Sequence, residues 1–395
     1  MPKRKIRTKP VMSSRSTGKS QSKGGKIKSS IFKVLLYLGL FLSLLYILYF
    51  FFSILSIESR DIIKENSTTD YLLSKQKDNP EKVLIIFEES YGNDKRITDV
   101  YGYLVNREKK SDLLIYLPGN VYYGGLEEKF GNEIPVSSFR YAGDFLQKGR
   151  GVEYSVWQLS QLLGFKNSRY IFFTAESTDF VSKHYGDSSE SDRSIDKLMT
   201  FNKQFSPFKI FTSAFDLSGI NKKIYSNMKF YDIQVILEQI SNRDKKFSRS
   251  VINMSEEKYL KKGKLGTGEE INVFNSSEYD KVLNKELQKV LDRKLENERA
   301  RVEVYNGSEL SGVAYSIGRK IMNSGCDVVR YGNAPNTIDK TQVYVSNMKD
   351  FTNSYLNVVD VLSSGFDLII GRPEFMTTGD IVVILGRDIK SIYSF

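Results

Sequence analysis

The chain reads as an α/β protein carried on one N-terminal apolar helix. Three observations carry that reading. Val34 to Ile57 is 24 residues with no charge, no Pro and one Gly. Between residues 81 and 260, apolar runs of strand length alternate with segments of helical period, the pattern of an α/β domain with a largely covered sheet. From Arg301 onward the order is β-α-β-β-α-β, enough for a small second domain of split βαβ or ferredoxin-like arrangement.

At about 1.5 Å per residue, the apolar stretch is long enough to cross a hydrocarbon core of about 30 Å. Eleven Lys and Arg and no acid precede it. Basic flanks stay in the cytoplasm, so the sequence predicts a single-pass anchor with its N-terminus inside and the rest of the chain outside the cell membrane. The stretch exceeds a signal h-region, and no small-residue cleavage pattern follows it, so a retained anchor is predicted. The Ser-, Lys- and Gly-rich tail from Ser13 to Lys28 is expected to be disordered.

This segmentation changes the meaning of the net charge. The +11 balance is carried by the eleven basic residues of the tail, leaving 47 basic against 47 acidic groups elsewhere. The excess is a topology signal and a contact for anionic headgroups, so no nucleic-acid partner is expected. The tail also lacks the apolar periodicity of a helix that reads DNA.

Cys326 is the single cysteine, so no intrachain disulfide forms. His184 is the single histidine, and its polar surroundings predict a surface loop residue. One Cys and one His cannot build a zinc site of the usual kind.

The expected segments are a basic tail (1–33), the membrane helix (34–57), a polar stalk (58–80), an α/β domain (81–260), a linker with a connecting helix (261–299) and a C-terminal domain (300–390). Within the α/β domain, Val83 to Phe87 is predicted as a strand buried on both faces. Val100 to Val105 and Asp112 to Leu117 follow as strands joined by the charged turn Asn106 to Lys110. Val152 to Leu163 reads as a helix closed by Gly164. Tyr170 to Phe173 is a strand, Gly186 to Ser206 a mobile loop, and Phe230 to Ile240 a helix. A long helix from Ser277 through Arg299, with an apolar stripe at Val282, Leu283, Leu287, Val290 and Leu291, joins the two domains.

Ligand sites in α/β sheets gather at strand carboxyl ends, which directs attention to Tyr116-Leu117-Pro118-Gly119-Asn120-Val121 and the following Tyr122-Tyr123. Tyr122 and Tyr123 are candidates for stacking on sugar rings. Gly307 to Gly312 has the glycine spacing of a phosphate loop, but Val313 and Ala314 stand where Lys and Ser/Thr are needed, so it reads as a strand-to-helix turn.

The last ninety residues resemble the C-terminal domain of LytR/CpsA/Psr (LCP) envelope proteins. The matching features are Val302-x-Val304-x-Asn306-Gly307, Gly312-x-Ala314, Gly325, Gly332-Asn333-Ala334, Thr341, and the closing Asp380-Ile381-Val382-Val383-Ile384-Leu385-Gly386-Arg387-Asp388. The resemblance implies an accessory domain without catalytic residues of its own.

The segment from Lys82 to Met254 resembles the LCP catalytic domain in degenerate form. Thr98-Asp99 matches the centre of an Arg-Ser-Asp-Thr-like motif, with Arg96 one position too far away. A Ser-Ile-Pro-Arg-Asp motif is replaced by Tyr116-Leu117-Pro118-Gly119-Asn120, and a later Ile-Asn-Ala-Ala-Tyr-Ala-Tyr-Gly-Gly stretch by Val136 to Asp144. The resemblance implies transfer of glycopolymer from a polyprenyl-pyrophosphate carrier to the cell wall, with Arg on the pyrophosphate and carboxylates on Mg²⁺. Carried over, it makes Asp99, Arg96 and Arg140 the catalytic candidates and Asp99 the metal ligand. The lost Arg-Asp pair leads to the expectation of a weakly active or non-catalytic binder of cell-wall glycan or lipid-linked precursor. The alternative is an active phosphotransferase using Mg²⁺.

Overall fold

Why the sheets form where they do follows from the apolar runs. The computed structural model of the chain describes residues 24–59, 73–74, 80–124, 134–185, 198, 223–241, 247–363 and 365–390. Helix α1 (Gly24–Ser59) contains the apolar span Ile31–Ser56, long and apolar enough to cross a membrane. It begins at Gly24, so Gly24 to Lys28, expected to be disordered, are helical. The stalk and the polar run from Gly186, Leu198 apart, lie almost wholly outside the described residues.

In the body of the chain, β1 (Glu81–Tyr91), β2 (Asp94–Asn106) and β3 (Ser111–Pro118) form a meander. Val83 to Phe87 are fully buried on both faces, as the continuous apolar run predicts. The β2–β3 turn is held by Asn106, whose Oδ1 accepts the Lys109 N–H at 2.9 Å. Two short strands, β4 (Tyr122–Tyr123) and β5 (Ile134–Pro135), lead into α2 (Phe139–Leu146) and α3 (Gly151–Leu163). Helix α3 ends at Gly164 in the left-handed conformation (φ 75°), where the sequence places its cap. Next come β6 (Arg169–Phe173) and α4 (Ala175–Tyr185). His184 lies in α4 and not in a loop, because Ala175 to Tyr185 continue the helix past Phe180.

Strand β7 (Ile224–Ser226), helix α5 (Phe230–Ser241) and β8 (Ser248–Asn253) complete a six-stranded sheet of order β7-β6-β1-β2-β3-β8. Strands β1 and β6, and β3 and β8, are parallel. The other neighbours are antiparallel. Strands β9 (Leu260–Lys264) and β10 (Glu270–Phe274) join β4 and β5 in a second sheet, β5-β4-β10-β9. The stretch 261–274, read from sequence as linker, therefore belongs to a sheet hairpin; the Lys-rich β9 is an edge strand whose charges face water.

The connecting helix is broken. Helix α6 (Ser276–Leu287) stops, and α7 (Arg293–Glu298) restarts at Asp292, whose side chain accepts the Lys294 N–H at 2.9 Å. Asp292 is an N-cap and cannot also sit in a continuous helix. The apolar stripe survives the break, since Leu283, Leu287, Val290 and Leu291 are all buried.

The C-terminal segment comprises β11 (Arg301–Asn306), α8 (Val313–Met322), β12 (Asp327–Asn333), β13 (Gln342–Val345), α9 (Thr352–Leu362), β14 (Asp367–Ile370) and β15 (Ile381–Leu385). The β-α-β-β-α-β order stands, with β14 added before the last strand. Sheet order is β12-β11-β15-β13-β14. Strands β11 and β12 are parallel neighbours, as are β13 and β14. This makes two adjacent βαβ units flanking β15, which is not the ferredoxin-like interleaving. Gly312 caps α8 at φ 74°, the turn role expected for it. The Thr341 and Gly386-Arg387-Asp388 features lock the strand ends together. Asp388 accepts the Thr341 N–H and hydroxyl, and Thr341 Oγ1 accepts the Gly386 N–H at 3.0 Å.

One apolar core runs from Leu84 in β1 through α3 and Leu287 to Leu385 in β15. All thirteen residues of α3 are buried within it, polar ones included. Among the described residues, the Gln158 amide has no hydrogen-bond partner on either atom. A buried unpaired polar group costs about 1–3 kcal/mol. Gln158→Met, similar in volume, is expected to raise stability by about that amount, as read by urea unfolding; a loss of stability would contradict the assignment.

Candidate functional site

Strands β1, β3, β6 and β8 run the same way, so their carboxyl ends share one end of the six-stranded sheet. A bulge lies there between Phe87 and Glu88: Phe87 pairs with Asp99 and Glu88 with Ile97, leaving Thr98 as the extra residue. Paired residues share a face and neighbours along a strand alternate, so Asp99 takes the side of Phe87 and Glu88 the opposite side, and the bulge brings Ile97 to the side of Glu88.

Asp99 lies on the face of Phe87, Tyr101 and Tyr116, and it is 7% exposed. The Tyr116 hydroxyl donates to Asp99 Oδ1 at 2.9 Å. The Tyr101 ring stands 5.3 Å from that of Tyr116 and edge-on to Phe87. Burial pushes the Tyr101 phenol well above its ordinary value, with Asp99, Tyr116 and Glu89 adding to the shift. Glu89, unremarked in the sequence, is therefore a second carboxylate of this face.

Arg140 lies on the opposite face. It projects from α2, makes an ion pair with the buried Glu88 at 2.5 Å, and sits 5.5 Å over the Phe172 ring. Phe172 pairs with Ile86, on the face that carries Glu88. Glu88 Oε2 also accepts the Ala175 N–H at the start of α4, at 3.1 Å. Arg140 thus has a resident anion and is separated from Asp99 by the sheet. Arg96 is at the surface, 3.4 Å from Asp94 and stacked 5.7 Å from the Tyr91 ring. The three residues taken together from the sequence are not brought together by the fold.

The turn after β3 is closed by backbone. The Gly119 N–H donates to the Thr98 carbonyl and the Gly119 carbonyl accepts the Ser137 N–H, both at 2.8 Å. A Cβ at Gly119 would lie 2.1 Å from the Ile97 carbonyl oxygen. The absence of Arg here is therefore a property of the backbone path as well as of the residue.

Beyond this turn lies a groove of about 730 Å³, whose lining includes Arg96, Asn120, Tyr122, Ser137, Tyr141 and Asn272. Asp99 does not line it. Consecutive strand residues point to opposite sides, and here they divide the tyrosine pair. Tyr122 lines the groove, whereas Tyr123 packs on the core with its ring 6.1 Å from Phe274. Sequence reasoning missed Tyr141. It is 59% exposed on α2, one helical turn before the exposed Phe145, and that i, i+4 aromatic pair was its only signal.

Among the described residues, no group of three or more His, Cys, Asp or Glu side chains converges as a metal site. Magnesium at phosphoryl sites needs one or two carboxylates, with substrate phosphates completing its shell. Asp99 and Glu89 share a face, where both act on the Tyr101 phenol. The arginines that would neutralise a pyrophosphate do not gather beside them.

Residues 299–388 match the family model LytR_C, "LytR cell envelope-related transcriptional attenuator". The C-terminal segment is similar to the LytR C-terminal domain. That match supports the envelope-protein resemblance read from Val302 to Asp388. No curated protein matches the chain. Solved structures similar to it include TagV of B. subtilis, at 11% identity and TM-score 0.36, covering 54% of this chain and 98% of that one. TagT of B. subtilis gives 11% identity and TM-score 0.35, covering 58% and 99%. A structure titled "TagT bound to LI-WTA" gives 10% and 0.34, covering 59% and 97%. Similarity at these scores assigns no activity to the residues described above.

Proposed function

We propose that this chain is a membrane-anchored, extracytoplasmic envelope protein of LCP type that binds cell-wall glycan or its lipid-linked precursor without requiring turnover. The observation that carries the reading is the groove beside the Gly119 turn: a large polar concavity at the carboxyl ends of the strands, presenting Tyr122 and Tyr141 among Asn, Ser and charged side chains. Sugars are recognised by hydrogen bonds to hydroxyls and by rings packed on aromatic faces. The basic flank of α1 supports an inside N-terminus, which would deliver the groove to the wall side.

Binding of purified wall polysaccharide to the full chain in detergent micelles tests this. Tyr122→Ala combined with Tyr141→Ala is expected to weaken binding at least tenfold, about 1.4 kcal/mol, while Tyr123→Ala acts through stability. Unchanged affinity in the double variant would remove the groove from the proposal.

Two carboxylates that both act on the Tyr101 phenol, Asp99 and Glu89, favour a second reading, an active phosphotransferase in which they hold Mg²⁺. Hydrolysis of a polyprenyl pyrophosphate, with and without Mg²⁺, separates the two. Turnover that depends on Mg²⁺ and is abolished by Asp99→Ala overturns the non-catalytic reading.

A further inference from the structure

The groove beside the Gly119 turn is built with its charges out of balance. Asp94, Lys95 and Arg96 line it from the start of β2, and Glu269 and Glu270 line it from β10 and the turn before that strand. Both cations are already matched. Arg96 lies 3.4 Å from Asp94, and Lys95 is paired with Glu176 at the start of α4. The two glutamates differ: both are exposed, and among the described residues neither makes an ion pair. Lys264 stands opposite Glu270 in the β9–β10 ladder but does not line the groove. The turn that carries Glu269 is fixed by its own backbone. The Glu269 carbonyl accepts the Leu265 N–H at 2.9 Å, and the Gly268 N–H donates to the Leu265 carbonyl at 2.8 Å. These acids therefore stand on a built hairpin.

For a phosphate-rich polymer the uncompensated charge here has the wrong sign. An ammonium is favoured twice over. Carboxylates attract it, and so do tyrosine ring faces, which Tyr122 and Tyr141 bring to the same groove. We propose that the groove selects amino sugars whose amine is free, ahead of N-acetylated rings and ahead of phosphate-bearing polymer. Glu269 and Glu270 are its specificity-determining residues. The inference rests on the groove being a glycan site and narrows that reading to a cationic sugar. Both attractions act near the surface, where each is modest and screened by salt.

The test is calorimetric titration of the full chain in micelles of a detergent without a sugar headgroup. At about pH 6 carboxylates are ionised and sugar amines protonated. The probes are a glucosamine tetramer, its fully N-acetylated counterpart and a polyglycerol phosphate. The free-amine tetramer is expected to bind about fivefold tighter than the acetylated one at low salt. Raising the salt should close that gap, and the phosphate polymer should bind weakest. Glu269→Gln combined with Glu270→Gln should bring the two tetramers within about twofold of each other. Both side chains are exposed, so the fold tolerates the change. The proposal is overturned if the acetylated tetramer binds as tightly as the free amine, if the phosphate polymer binds best, or if the gap survives in the double glutamine variant. Tyr122→Ala with Tyr141→Ala separates this result from the reading beneath it. Should that variant lose both tetramers while the wild type holds them equally, the groove is a glycan site without amine preference. If the wild type binds neither tetramer, both readings fall.

Discussion

Arg319→Ala is expected to destabilise the chain by about 3–5 kcal/mol, the cost of breaking a buried ion pair from one side. Arg319 Nε and Nη2 clasp the two Asp280 oxygens at 2.6 and 2.9 Å. The same guanidinium donates to the Gln161 and Leu162 carbonyls at 2.8 and 2.9 Å, which are end groups of α3 that the helix itself cannot satisfy. Truncation would strand the Asp280 carboxylate, 6% exposed, and leave both carbonyls bare. Urea unfolding read through Trp157 measures the loss. The double substitution Arg319→Met, Asp280→Leu should recover most of it, since apolar replacement of a buried pair is often near neutral. A single-variant loss under about 1 kcal/mol, the level of a surface pair, would show that the junction is wetter than described.

Gly119→Arg is expected to restore no pyrophosphate chemistry and to cost about 3 kcal/mol, the upper end for overpacking. The first side-chain carbon would already lie 2.1 Å from the Ile97 carbonyl oxygen. Relief requires breaking the backbone bonds that join Gly119 to Thr98 and Ser137. Gly119→Ala should therefore cost nearly as much as Gly119→Arg, which marks the loss as steric. Thermal unfolding of both variants, with polyprenyl-pyrophosphate hydrolysis in parallel, reads the outcome. If Gly119→Arg gains turnover over the wild type, the turn can reopen and the chain is one substitution from an active enzyme.

These expectations separate what the residues announce from what only packing decides. The buried β1 run, α3 with its Gly164 cap and the alternation beyond Arg301 are local patterns, and the fold follows them. The break at Asp292 was hidden because the apolar stripe passes through it unchanged. Strand β9 was hidden because Leu260-Lys261-Lys262-Gly263-Lys264 has the composition of a linker and earns its place only by pairing with β10. For the site, the register was the missing quantity. The pairing of Asp99 with Phe87 sets Asp99 on one face, and alternation along β1 sets the Glu88–Arg140 pair on the other. Glu88 and Arg140 are 52 positions apart, and no spacing rule links them. The division of Tyr122 from Tyr123 follows from strand alternation, which a two-residue strand gives no pattern to detect.

The helix ends at the junction carry a consequence for biogenesis. Glu298 accepts the Asn353 and Ser354 N–H groups at the start of α9, Lys166 holds its far end, and Arg319 closes α3. Each half of the chain thus finishes helices belonging to the other. A nascent polypeptide released before residue 301 would present α3 with raw carbonyls and an α6 stripe open to water, a form suited to proteolytic clearance. The C-terminal segment is thereby a condition for the integrity of the body that precedes it.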